Sequence, residues 1–218
     1  MSTPLAPRLL KGGLVLLDPD SSAVVGIITL QYNADSMTRT LQPQAVNSAG
    51  GDHSEALRLK GPPVETIKLE AELDATDQLE HPDSSPDAVQ LGLLPQLSAL
   101  ETLVYPKASQ LLSNNALASS GTLEITPTEA PLTLLVWGPK RVIPVRITDL
   151  SVTEEAFDAN LNPIRAKVSL GMRVLSVDDL GFDQKGSGLY MLYQQGKEAM
   201  AARAPAGTFS ALGIGGVP

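Results

Sequence analysis

Between Arg141 and Ser176 the chain reads RVIPVRITDLSVTEEAFDANLNPIRAKVSLGMRVLS, and no other stretch restricts the fold so tightly. Two runs rich in Val, Ile and Leu flank a turn of Asp, Asn and Pro, which is the composition of an extended β-hairpin. In the second run Ala166, Val168, Leu170, Met172 and Val174 alternate with Arg165, Lys167, Ser169 and Arg173. One face of that strand is therefore apolar and the other polar and basic. Asn162 and Pro163 fit the turn that precedes it. Such a ribbon needs a further apolar surface to cover its dry face.

The stretch ETIKLEAELDATDQLE repeats the pattern with mostly opposite charge: Ile67, Leu69, Ala71 and Leu73 share one face, and Lys68, Glu70, Glu72 and Asp74 the other. Were these acidic and basic faces to meet across a subunit boundary, their charges would fix register and exclude wrong partners more than they would raise affinity. Upstream, Gly13 to Leu17 and Val24 to Tyr32 are strand-like runs joined by DPDSSA, a hairpin signature. MTRTLQPQ is expected to pair nearby, and AVNSAGGDHSEA to form a polar loop.

Two helices are expected as well. In DAVQLGLLPQLSALETLVYP, Val89, Leu93, Leu97, Leu100 and Val104 fall on one helical face, with Pro95 either kinking the helix or opening its first regular turn, and Pro106 beyond its end. GLYMLYQQGKEAMAAR places Leu189, Leu192, Tyr193 and Met200 on one side, and APAGTFSALGIGGVP follows as a linker or interface tail. The fold class is thus mainly β with two helices, α+β, divided into a β domain over residues 1–184 and a helix with a Gly-rich tail over residues 185–218.

Composition narrows the chemistry. The 218 residues suffice for one sizeable core, and 43% hydrophobic against 18% charged residues fits a globular chain. A net charge of -8 without a basic cluster argues against a nucleic-acid binder. Cysteine is absent, which excludes disulfides, thiolate catalysis and Cys-ligated zinc. MSTPLAPRLLKGG lacks the apolar core of a secretory signal, and no apolar run approaches the roughly 18–20 residues of a membrane helix. Synthesis and assembly in the cytoplasm, without membrane insertion, is the expectation.

Catalytic motifs are not legible. His53 and His81 lie in polar loops without a nucleophile elbow or a zinc-binding His pair, and read as solvated residues. Asp18 and Asp20 resemble the start of a calcium loop but lack its Gly and closing Glu, so a turn is expected. GTFSALGIGG has neither the preceding strand nor the spacing of a dinucleotide fingerprint. Strand alternation alone accounts for Glu70, Glu72 and Asp74, and at 4% aromatic residues there is little with which to stack a sugar. Trp137, closing LTLLVW before GPKR, reads as a core or rim residue. Glu154, Glu155, Phe157 and Asp158 fall near the ribbon's turn, where Phe157 is either an interface anchor or part of a solvated turn. No catalytic, metal or cofactor site is assigned, and no enzyme is expected.

Four segments in order, GGLVLLDPDSSAVVGIITLQYNADSMTRTLQPQ, LKGPPVETIKLEAELDATDQLE, LLPQLSALETLVYP and LLVWGPKRVIPVRITDLSVTEEAFDANLNPIRAKVSLGMRVLS, carry a resemblance spanning Lys11 to Met200. Together they resemble the inner-baseplate, tube-initiator protein of contractile injection systems, a LysM-type family of phage-tail-like particles with a tube-like amino-terminal domain. The resemblance implies a tail-tube type β-barrel or β-sandwich with a packed helix. It also implies copies in a six-fold ring between the spike hub and the inner tube, where the ring initiates tube assembly. The implied partners are the chain itself, the inner tube protein, the spike or hub protein and other baseplate components, in a particle that is intracellular or released. Many relatives carry a LysM module at their end, whereas nothing after Gly186 resembles one. The resemblance carries over no catalytic residues.

Candidate assembly residues are Lys68, Glu70, Glu72, Glu154, Glu155, Phe157, Arg165, Lys167 and Arg173. Two alternatives stay open: the inner tube subunit itself, or a freestanding β-sandwich binding module or enzyme, for which a dense aromatic patch and convergent polar groups would be expected.

Overall fold

Period-two alternation in β4 (Val64–Asp74) and β7 (Pro163–Val174) sets the architecture. In the computed structural model, which describes residues 10–45, 58–121 and 130–217, the two strands pair antiparallel, with Ile67 opposite Met172, Leu69 opposite Leu170, Ala71 opposite Val168 and Leu73 opposite Ala166. On the far side of β7 runs β6 (Val142–Phe157), whose Leu150 and Val152 extend the same rows. The expected hairpin is therefore present, and β4 extends its apolar face as a third strand.

The sheet continues through β5 (Leu132–Val136), β1 (Gly13–Leu17) and β2 (Val24–Thr29) on one side and through β3 (Met37–Gln42) on the other. The order is β2-β1-β5-β6-β7-β4-β3, all antiparallel. Leu14 faces Leu135, which faces Ile143, so the shorter strands join the same core. The mainly-β, α+β class holds. The seven strands form one open sheet ending on β2 and β3, and its hydrogen bonding does not close into a barrel among the described residues.

The first hairpin pairs as its turn residues predict. Asp18 Oδ1 accepts the backbone N–H and the hydroxyl of Ser21, both at 2.8 Å, and Ser22 takes φ +56, so DPDSSA is a side-chain-capped turn. The third run does not stay beside this hairpin: β3 pairs with β4, at the opposite edge of the sheet. The start of the crossing segment is tied to both sides of the sheet. Leu30 N–H donates to the Gly12 carbonyl at 2.9 Å, and the Gln31 amide holds the backbone N–H and C=O of Asp74 at 2.9 and 2.6 Å. Most of AVNSAGGDHSEA, with His53, lies outside the described residues.

The helix expected before residue 106 is instead two pieces, after the single turn α1 (Thr76–Leu79): α2 (Pro86–Leu91) and α3 (Leu94–Glu101). Gly92 breaks it at φ +57, and a Cβ there would lie 2.3 Å from the Pro163 carbonyl oxygen. That oxygen also accepts the Leu93 N–H at 2.8 Å, so the break fits the helix pair against the start of β7. Leu93, Leu97 and Leu100 are buried and Pro95 opens α3, as the pattern predicts. Val89 is exposed because the 3.6-residue phase does not carry across the break, and Val104 because α3 ends at Glu101, before that phase reaches it. A further helix, α4 (Ala108–Ser119), was not legible, for it buries no residue and so shows no apolar stripe.

The last helix, α5 (Lys185–Ala201), is present but rotated from its expected phase. Its buried residues are Gly186, Ser187, Tyr190 and Tyr193, while Leu192 is 65% and Met200 49% exposed. Small residues explain this. A Cβ on Gly186 would fall 2.4 Å from the Leu180 side chain, so the helix approaches on its Gly-Ser face and brings the two tyrosines under it. Trp137 is a rim residue packed on the core, its ring lying where a Cβ on Gly12 would stand, 2.4 Å away.

Candidate assembly interface

The turn of the β6–β7 ribbon is built by its own Asx residues. Asp158 Oδ1 accepts the N–H groups of Asn160 and Asn162 at 2.7 and 2.8 Å. The Asn162 amide donates both to Asp158 Oδ2 at 2.9 Å and to the Gln90 carbonyl in α2 at 3.0 Å. Leu161 accepts φ +65, and the hydrogen bonds from Asn162 hold the Asp158 carboxyl below its usual range. The ribbon end is thus fixed to the body of the molecule.

The acidic and basic strand faces meet first within one copy, because β4 and β7 are neighbours: Glu72 stands opposite Lys167 and Asp74 opposite Arg165. Arg165 reaches Asp74 Oδ2 at 2.8 Å, Lys167 reaches Glu155 at 2.8 Å, and Arg173 reaches Asp179 at 2.7 Å. Thr76, through its hydroxyl and N–H, joins Arg165 in holding the Asp74 carboxyl below its ordinary value. The Arg165 and Lys167 pairs are open to water, which screens them, so these charges organise the face more than they stabilise it.

Seven of the nine candidate residues share this outer face: Lys68, Glu70, Glu72, Glu155, Arg165, Lys167 and Arg173. Glu154 is opposite Ala166 in the register and belongs to the other face, while half-exposed Phe157 is opposite Pro163 at the ribbon's end. Alternation separates Glu154 from Glu155, although the two are adjacent in sequence.

Unpaired strand edges complete the surface. β2 and β3 each have one neighbour, and β5 accompanies β6 only as far as Val145. From Arg146 to Phe157, β6 therefore has no second strand partner among the described residues. β2 is the most apolar edge, with Val24, Val25 and Ile27 58%, 56% and 65% exposed. By contrast, the far end of β4 is capped by the Gln31 amide, which occupies the hydrogen bonds a neighbouring strand would make there.

Sequence reasoning missed one buried charge cluster. Glu65 is 3% exposed and lies on the apolar phase of β4, in step with Ile67 and Leu69. Arg39 of β3 donates to Glu65 Oε1 through Nε at 2.8 Å, and Tyr193 of α5 donates to the same oxygen at 3.1 Å. Lys197 of α5 reaches Oε2 at 3.0 Å, and Arg39 also donates to the Tyr193 hydroxyl at 2.8 Å. The Lys197 ammonium stands 4.0 Å from the centre of the Tyr193 ring. A glutamate in an otherwise apolar phase, with a Tyr and a Lys one helical turn apart downstream, is the signal that could have found it.

Burial opposes ionisation of Glu65, but the hydrogen bonds and charges of Lys197 and Arg39 outweigh it and depress its pKa. Burial and the same carboxylate push the Tyr193 hydroxyl up to about 12. Tyr190 of α5 also feels the Glu65 charge, together with that of Asp178, and Arg141 acts on Tyr193. Because the folded-state pKa of Glu65 is the lower one, its contribution is complete above the unfolded value of about 4.3 and is lost as pH falls through the depressed value. The gap in urea midpoint between wild type and Glu65→Gln at pH 7 should narrow as the pH is lowered into the acid range; a gap that stays constant down to the acid unfolding of the chain contradicts this assignment.

Among the described residues no three His, Asp or Glu side chains group to hold a metal ion, and no helix is long and apolar enough to cross a membrane. No family profile and no curated protein matches the chain. Among solved structures, one similar chain comes from the tail of an empty gene transfer agent particle refined helically in C6 symmetry. It is 14% identical, with 75% of this chain and 90% of that chain covered and a TM-score of 0.28. Another comes from the virion of a native gene transfer agent particle, at 12% identity, the same coverages of 75% and 90%, and a TM-score of 0.27.

Proposed function

We propose that the chain is a structural, non-enzymatic ring subunit of a contractile, phage-tail-like particle, joining the spike hub to the inner tube and initiating tube assembly. The observation that carries this reading is the open sheet, whose two ends expose different unpaired edges, β2 and β3. A strand edge is a template for another strand, and two unlike edges favour head-to-tail contacts between copies. Such contacts close into a ring when the rotation per copy divides a full turn, and a six-fold ring is the form the sequence resemblance implies. That resemblance is also what supports the baseplate position and the tube and spike partners.

The outer face then lies along the same surface as its neighbours, where its mixed charges select register. Reversing Arg165→Glu with Lys167→Glu removes two water-exposed ion pairs within the subunit, with Asp74 and Glu155, and leaves the buried core untouched. The variant is expected to fold but to fail in particle assembly, scored by electron microscopy of particles purified from cells carrying it. Particles formed in normal number would show that these charges do not direct assembly. Copy number separates the remaining alternative, since an inner tube subunit greatly outnumbers the subunits of a single ring.

A further inference from the structure

We propose that α5 is a latched arm, held on the sheet by the Glu65 charge cluster and able to leave it, with the C-terminal tail, while the sheet stays folded. The distribution of contacts along the helix points to this. All four buried residues, Gly186, Ser187, Tyr190 and Tyr193, fall in its first half, and past Tyr193 the tie to the sheet is the ion pair of Lys197 with Glu65. From Glu198 through Gly215 every residue is exposed, including Met200, Phe209, Leu212 and Ile214.

The nature of the contact matters as much as its extent. An apolar interface weakens gradually as area is lost, whereas this cluster depends on one carboxylate. Glu65 serves two cations and a tyrosine hydroxyl at once, so its loss leaves Arg39 and Lys197 facing each other across Tyr193 without a counter-charge. Arg39 belongs to edge strand β3 and Lys197 to α5. One carboxylate thus ties the arm and that edge together, and opening the latch frees the Arg39 guanidinium on β3 from both Glu65 and Tyr193. The latch is a property of the single chain and stands whether or not the ring reading does.

Hydrogen exchange read by mass spectrometry on the full chain tests it, comparing wild type with Glu65→Gln and Lys197→Met. Amides over residues 189–201 should exchange about tenfold to a hundredfold faster in both variants, while the centres of β4 and β7 change by less than about twofold. Lys197→Met leaves the Arg39–Glu65 pair in place, so it gives the same reading if Glu65→Gln does not fold. Unchanged exchange in α5 overturns the proposal, because the helix would then be held by its tyrosines alone. Acceleration of α5 and the sheet together also overturns it, because helix and sheet would then open as one unit.

Discussion

Replacing Gly92 with alanine is expected to lower the stability of the chain by about 2–4 kcal/mol, read as a lower urea midpoint at unchanged slope. Two effects add. Alanine is strained at φ +57, and its Cβ would approach the Pro163 carbonyl oxygen to 2.3 Å, where backbone rather than a movable side chain must yield. Yielding pulls α3 off the start of β7, breaking the Leu93 N–H bond to Pro163 and loosening Leu93, Leu97 and Leu100 in the core. Gly213 is the contrast: at φ +72 and ψ +18 it sits in the left-handed helical region, which alanine enters at modest cost, and nothing lies within 4 Å of its Cβ position, whereas Gly92 at φ +57 and ψ -128 lies outside that region. Gly213→Ala should cost about 1 kcal/mol, and equal losses at both positions would show that contact with Pro163 is not what matters at Gly92.

Leu170→Ala should cost about 3–4 kcal/mol, among the largest losses of any single side chain here. Leu170 is 1% exposed and stands between Leu69 of β4 and Leu150 of β6, the middle of a row crossing three strands. Strand backbones on both sides resist collapse into the space left behind, so the lost transfer free energy is joined by a cavity term. Five residues earlier on the same strand, Arg165→Ala should leave the urea midpoint close to that of wild type, since its ion pair with Asp74 is open to water. A small loss at Leu170 would mean that the three-strand row is not the packed centre of the sheet.

How much of this was legible depended on whether a residue's role is local. Alternation in β4 and β7, the Asx-rich turn at Asp158 and the capped turn at Asp18 are short-range effects, and each was readable from spacing and residue type. The helical phase was readable until Gly92, where a backbone contact with a strand 71 residues later decides the geometry. In α5 an apolar stripe predicts Leu189, Leu192, Tyr193 and Met200 inward; Tyr193 is buried as expected, but the close approach of Gly186 to Leu180 and the charge on Glu65 turn the helix so that Leu192 and Met200 are exposed. β3 pairs with β4 rather than beside the first hairpin, and the segment leading to it is held to Asp74 by Gln31, a long-range tie that no local pattern encodes.

The outer-face charges show the same limit. Alternation identified Arg165, Lys167 and Glu72 as outward, but not that β4 and β7 would be adjacent and satisfy them in part within one copy. That adjacency changes what the face offers a neighbour: a patterned, largely neutralised strip in place of two opposed charged strips. The apolar edge of β2 is then the feature that differs most from an ordinary solvated surface.

The most direct test of the ring reading is the mass of the purified full chain by size-exclusion chromatography with light scattering, over a wide concentration range, alone and with its candidate tube and spike proteins. Wild type is expected to grow into a closed ring or a defined complex with those partners, and Ile27→Lys, which puts a charge on the β2 edge, to remain a folded monomer. A wild-type chain that stays monomeric at every concentration and ignores both partners would contradict the account and leave a freestanding module in its place.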